Sequence, residues 1–261
     1  MVTNIEISGY TEDILEALVK AGIYSNKTEA VREAIRRFIE SFDMKEISFR
    51  AYKDGKITFQ LALEISGLNI EELIWYLLKR GIAPELGLVD VDEVKEGLRI
   101  IEEKNLFVFD LSSAFTILEL NGIDAIKKLQ KRLIIGKETG KVIRSLIMRY
   151  SKIRGSLVSL GDYELYQLKM PLGEFARKNG MSIQEAEALM IAKKEGGIYV
   201  SDDIRSRQIA KSKGVNSVPV ISIFIYERQQ NMLTDNEFNE IVMKMGMVPL
   251  LVPFEILSGM R

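Results

Sequence analysis

Two apolar runs in the carboxyl-terminal part of the chain stop at aspartate. Leu106, Phe107, Val108 and Phe109 lead into Asp110, and Ile198, Tyr199 and Val200 lead into Ser201, Asp202 and Asp203. Short continuous apolar runs read as buried parallel strands, whose carboxyl ends open onto the edge where α/β folds place their chemistry. Further strands are expected over residues 133–135 and 218–225, with helices over 113–129, 141–152, 183–194 and 204–213. Such alternation predicts a parallel sheet covered by helices on both faces. Residues 153–181 carry no pattern strong enough to assign.

The amino-terminal part has a different rhythm. Residues 3–8 alternate, with Ile5 and Ile7 on one face and Asn4, Glu6 and Ser8 on the other, as in a half-buried strand. Thr11 is placed to cap a helix with the stripe Ile14, Leu15, Leu18 and Val19, which Gly22 ends. Asn26, with Glu29 three residues later, forms a capping-box pattern ahead of Ala30, Val31, Ala34, Ile35, Phe38 and Ile39. About forty residues of this kind cannot close a core alone, so association with a second copy is expected. Beyond them, helices are expected over 57–65 and 70–79, joined through Gly67 as the left-handed turn and Asn69 as the next cap. Trp75 and Tyr76 are expected in a core or an interface, and residues 91–104 read as a connecting helix.

Composition narrows the chemistry. The 261 residues include no cysteine and no histidine, which removes disulfides, thiolate sites, cysteine nucleophiles and the commonest general base. Any reaction must therefore run on carboxylates, hydroxyls, lysine or arginine. No run of eighteen apolar residues exists, and residues 1–10 lack a cationic region followed by an apolar one, so a soluble cytoplasmic protein without a membrane partner is expected. The net charge of −1 hides an asymmetry: residues 1–104 net −6 and residues 105–261 net +5, so the halves should attract each other or have different partners. Between positions 127 and 154, Lys127, Lys128, Lys131, Arg132, Lys137, Lys141, Arg144, Arg149, Lys152 and Arg154 face one acid, Glu138. Such a strip reads as a phosphate track, a dock for the acidic half, or a solvated face.

Three phrases resemble known families. SNKTEAVREAIRRFI, residues 25–39, together with the preceding strand and helix pattern, resembles the ribbon-helix-helix family of dimeric regulators and antitoxins. That resemblance implies a homodimer whose paired strands enter the DNA major groove, with Asn4, Glu6 and Ser8 toward the bases and Asn26 and Lys27 at the phosphate backbone. The chain departs from the pattern at Glu6, an acid where a cationic or amide side chain is usual. YKDGKITFQLALEISGLNIEELIWYLLKRGI, residues 52–82, resembles a small antitoxin-like family often found beside nuclease toxins.

VFDLSS, QEAEALMIA and YVSDDIRSRQIA, in that order, resemble the PIN domain, a metal-dependent ribonuclease fold of many toxins. The resemblance implies catalytic metal ligands at Asp110, Glu187 and Asp203, with Asp202 beside them and Ser112 or Ser113 holding the ligand geometry. Mg2+ or Mn2+ held by such carboxylates activates water and stabilises phosphoryl charge without histidine. The family's Val-x-x-Glu-Leu phrase is here Val142-Ile143-Arg144-Ser145-Leu146, which lacks the carboxylate, and Glu138 is a poorly spaced substitute.

The expected architecture is multidomain: a small α+β ribbon-helix-helix head (1–45), a helical antitoxin-like segment with a connecting helix (46–104), and an α/β/α PIN-like domain with a parallel sheet (105–261). Two functions follow. One is a fused antitoxin-toxin-like protein with slow metal-dependent endoribonuclease activity, RNA lying along Lys137, Lys141 and Arg144. The other is a DNA-binding transcriptional regulator whose PIN-like domain is inactive.

Overall fold

The structure, a computed structural model, describes residues 6–87, 91–120, 125–126, 128–149 and 164–247. Among these lie thirteen helices and one five-stranded sheet, all of whose strands run parallel. The first five helices are α1 (Tyr10–Lys20), α2 (Lys27–Glu40), α3 (Met44–Lys53), α4 (Phe59–Ser66) and α5 (Ile70–Leu78). Then come α6 (Val91–Glu103), β1 (Leu106–Phe109), α7 (Leu111–Glu119), β2 (Arg132–Gly136), α8 (Lys137–Arg149) and β3 (Glu164–Tyr166). The chain continues through α9 (Gly173–Asn179), α10 (Ile183–Glu195), β4 (Ile198–Val200), α11 (Ile204–Ser212), β5 (Ser217–Val218), α12 (Val220–Gln229) and α13 (Asp235–Met247).

The sheet order is β3-β2-β1-β4-β5, so β1 lies at the centre between β2 and β4. Successive strand residues feed opposite faces, as the pleat requires. Phe107 and Phe109 of β1, Ile135 of β2 and Val200 of β4 pack with α7, α12 and α13. Val108, Ile134 and Tyr199 pack with Met181, Ala188, Leu189 and Ile191 around α10 and with Ala210 of α11. Helices thus cover both faces. The segment from α3 to α5 has its own apolar cluster, including Phe49, Tyr52, Phe59, Leu73 and Leu77.

Several expectations need correction. Residues 218–225 are a strand only as far as Val218; Pro219 then starts α12. Val220, Ile221, Ile223, Phe224 and Ile225 are all buried, and a helix buried all round shows the same unbroken apolar run as a strand. Residues 6–8 form no strand within this chain, and residues 1–5, including Asn4, lie outside the described residues. The first helix begins at Tyr10 with Gly9 as its cap, so Thr11 sits inside the first turn. Trp75 is 63% exposed and belongs to no core, whereas Tyr76 packs against the α3–α5 apolar cluster as expected, its ring centroid 3.6 Å from the Arg80 guanidinium carbon. The 91–104 segment is a helix as expected, and α6 packs against α12 and β5.

Sequence patterns failed to reveal α3, β3, α9 and α13. Helix α3 is capped by Asp43, whose carboxylate accepts from the amides of Lys45 and Glu46. Other signals hold. Gly67 takes the left-handed turn at φ 68°, and Asn69 and Glu72 form a reciprocal capping box. Asn26 accepts from the Glu29 amide at 2.9 Å, but the return arm of Glu29 reaches Ser25 N, one residue early. No helix among the described residues is long and apolar enough to cross a membrane.

Candidate acidic site at the sheet edge

Both aspartate-terminated strands deliver their acids to the carboxyl edge, and all three aspartates are buried. Asp110 follows β1 and is held by four donors. Its Oδ1 accepts from Ser112 Oγ, Ser113 N and Ser113 Oγ, each at 2.8 Å, and its Oδ2 accepts from the Tyr199 hydroxyl at 2.9 Å. Both Ser112 and Ser113, either of which is expected to hold this carboxylate, contact it directly. Tyr199 OH stands 2.6 Å from Ser206 Oγ, and Ser206 N donates to Asp203 Oδ1 at 3.0 Å, which ties the two strand ends into one network.

Asp203 caps α11 and Asp202 caps α12, its Oδ1 accepting from Val220 N at 3.0 Å. Side-chain caps of this kind satisfy amides that the helix itself leaves free. They do not exhaust the oxygens: Asp202 Oδ2 is buried without a partner.

The helix acid at this edge is Glu185. It forms a capping box with Ser182, is fully buried, and its Oε1 has no partner. Burial first, then the charges of Asp203 and Asp110, hold its carboxyl well above the usual carboxylate range. Burial likewise pushes Asp203 up, with Asp110 adding to the effect, and it pushes Asp202 up. Buried carboxylates that act on one another's charge cannot all ionise unaided, so the group favours a proton or a cation.

Glu187 has a different setting. Its Oε2 accepts from Glu138 N at 2.8 Å at the amino end of α8, and the amides of Lys137 and Thr139 also act on it. A β-carbon added at Gly136 would overlap this carboxylate, so the glycine is the space that lets Glu187 reach the helix. Glu138 stands beside it, bound to Lys141 at 2.6 Å. Among the described residues, no group of three acids is arranged as a ready cation site.

The acids instead meet the amino-terminal half of the chain. Phe59 N, the first amide of α4, donates to Asp203 Oδ2 at 2.6 Å, and Thr58 Oγ1 donates to Glu185 Oε2 at 2.7 Å. Thr58 N donates to the Gly180 carbonyl, and Leu86 forms an isolated bridge with Asp203. Arg205 donates to the carbonyls of Tyr52 and Ile57 and to Glu85. Arg207, 4% exposed, binds the carbonyls of Ser201 and Gly87 and the Glu93 carboxylate. Residues 52–87, together with Glu93, thus clamp directly over the edge.

The expected nucleic-acid contacts are dispersed. Glu6, Ser8 and Asn26 are exposed, and Lys27 pairs with Glu12 at 3.0 Å and Glu16 at 3.4 Å on α1. In the basic strip, Lys128 binds Glu237, Lys131 binds the carbonyls of Ile101 and Lys104, Arg132 binds Glu164 and Lys141 binds Glu138. Lys137 and Arg144 are exposed on α8. Lys127, Lys152 and Arg154 lie outside the described residues.

Sequence reasoning missed Glu185, Tyr199, Ser206 and the Thr58–Phe59 contact. The signal for Glu185 was in the chain: Ser182 with a glutamate three residues on marks a helix start, and the acid of a capping box lies at the helix mouth. No family model matches the chain, and no curated protein or solved structure does either.

Proposed function

We propose that the chain is a fused antitoxin-toxin-like protein in which residues 105–261 form a PIN-type endoribonuclease dependent on Mg2+ or Mn2+. The observation that carries this reading is the convergence of Asp110, Glu185, Asp202 and Asp203 at the edge of a parallel sheet. The donor set suits a hard divalent cation, because all its donors are carboxylate oxygens, and two of these, Glu185 Oε1 and Asp202 Oδ2, are buried with no partner. Asp110, Glu185 and Asp203 would hold the ion, with Asp202 adjacent; Ser112, Ser113 and Tyr199 orient Asp110. Once bound, the ion supplies water activation and charge stabilisation for phosphodiester cleavage. RNA is assigned to exposed Lys137 and Arg144 with Lys141.

In this reading α1 and α2 form the dimerising head. Their exposed Ile14, Ile35, Phe38 and Ile39 are the apolar surface that a second copy would cover. The second reading, a DNA-binding regulator with an inactive PIN-like domain, is favoured by two facts. Residues 142–146 lack the expected acid, and oxygens of Glu185 and Asp203 are engaged by Thr58 and Phe59.

Cleavage of single-stranded RNA tests the choice. Slow cleavage that requires Mn2+ and vanishes in Asp110→Asn supports the enzyme. Equal activity in both proteins assigns the cleavage to a contaminant, and tight duplex DNA binding without cleavage selects the regulator.

A further inference from the structure

The contact between α4 and the acidic edge joins residues 127 and 144 positions apart in sequence, and its donors take up one oxygen on each of two carboxylates of the proposed site, Glu185 Oε2 and Asp203 Oδ2. Thr58 is fully buried, and its hydroxyl lies on Glu185 Oε2. The amide of Phe59, the first of α4, lies on Asp203 Oδ2. A helix start carries partial positive charge, so here backbone and hydroxyl donors supply what a cation would otherwise supply to the same carboxylates.

The fit is specific on the opposite side as well. Gly180 has φ +63° and ends α9; a β-carbon there would overlap the carbonyl oxygen of Lys56 and press on Ile57 Cα. Arg205 lies over the Tyr52 ring, 4.8 Å from its centroid, and holds the carbonyls at both ends of the loop that leads into Thr58. The loop is therefore gripped at Tyr52, Ile57 and Gly180, and its tip is set into the acids.

We infer that the Thr58–Phe59 tip and a divalent cation exclude each other at Glu185 and Asp203, so that residues 44–87 act as a built-in plug of the metal site. The inference rests on the proposed metal-dependent reading of that edge. Cation binding requires the tip to withdraw, and withdrawal of the tip raises cation affinity. Reciprocity of this kind follows from linkage between two ligands competing for one set of atoms.

The test uses the full chain and Mn2+ alone, with two opening variants. Gly180→Asn keeps a residue that tolerates positive φ but places a β-carbon against Lys56, and Thr58→Val keeps the extended, β-branched shape while removing the hydroxyl. Mn2+ affinity is read by paramagnetic resonance of the free ion, and docking of the tip by hydrogen exchange of the Phe59 amide.

The expected result is Mn2+ binding about tenfold or more tighter in the variants, the scale of one lost hydrogen bond to a charged group, and faster exchange at Phe59 as wild type is titrated with Mn2+. Adding Asp203→Asn to Gly180→Asn is expected to abolish the gain. Wild-type binding that Asp203→Asn removes, but that leaves Phe59 exchange unchanged, overturns the plug while the metal site stands. Absence of Mn2+ binding in every form, with fast Phe59 exchange in Gly180→Asn, overturns the metal reading and the plug with it.

Discussion

The acidic edge and Glu227 on α12 both bury carboxylates, and they resolve the cost in opposite ways. At the edge, Asp110 has four donors, and oxygens of Asp202, Asp203 and Glu185 take amides or hydroxyls from α12, α11, α4 and the chain before it. Glu227 is just as buried, yet neither of its oxygens has a hydrogen-bond partner. Burial raises its carboxyl from 4.5 to about 8, with Lys128 opposing and Glu237 adding to the shift. The contrast shows that burial by itself does not build a site. A site is the place where separate elements bring donors and acids to the same few ångström, and of these two regions the edge does that.

The largest expected effect breaks the weaker partner of this comparison. Because Glu227 has a raised carboxyl in the folded protein, the fold retains a proton that the unfolded chain has already released. Its stabilising share is complete below pH 4.5 and is lost as pH rises toward about 8. The loss amounts to about 5 kcal/mol across that interval. Glu227→Gln, which cannot ionise, is expected to flatten this decline, and urea unfolding at pH 5 and pH 8 reads it directly.

The next effect strikes the edge. Arg207→Ala leaves the Glu93 carboxylate and the carbonyls of Ser201 and Gly87 without their buried donor, at a cost of about 3 kcal/mol in thermal unfolding. Gly136→Ala is expected to cost about 2 kcal/mol, because the added methyl overlaps Glu187 and forces it from the start of α8. Protection of the Glu138 amide in hydrogen exchange would fall in that variant. Smallest is Ser112→Ala, about 1 kcal/mol, since Asp110 keeps donors from Ser113 and Tyr199. A loss as large as that of Arg207→Ala would mean that the network at Asp110 is far less redundant than its four contacts suggest.

The strand ends of this edge were legible because each run from an apolar centre to aspartate is a complete local signal. Asp110 and Asp203 are where that signal places them, and α10 and α11 begin where their caps predict. Glu185 was hidden by its own regularity: a glutamate three residues after a serine reads as a cap, and here one side chain caps the helix and faces Asp203. Glu187, two residues further along α10 and so about half a turn round the helix, faces α8 instead. The contact of Thr58 with Glu185 has no local signature, since nothing within either segment records the other. Helix α12 misled for a related reason: periodicity separates helix from strand only where one face is wet, and α12 has almost none.

The order of the chain adds a consequence of the clamp at residues 52–87. A ribosome releases α3, α4 and α5 before any strand of the sheet, and their apolar cluster is contained within that stretch. Chains acquire structure from the amino end as they are made. The cover is therefore already shaped when Asp110 emerges, and it stands ready when Glu185, Asp203 and Arg205 follow. At no stage of synthesis are the acids complete with their cover still to come. A chain permuted to place residues 44–87 last reverses that order, and its yield in growing cells, compared with the natural order, measures what the sequence of synthesis protects.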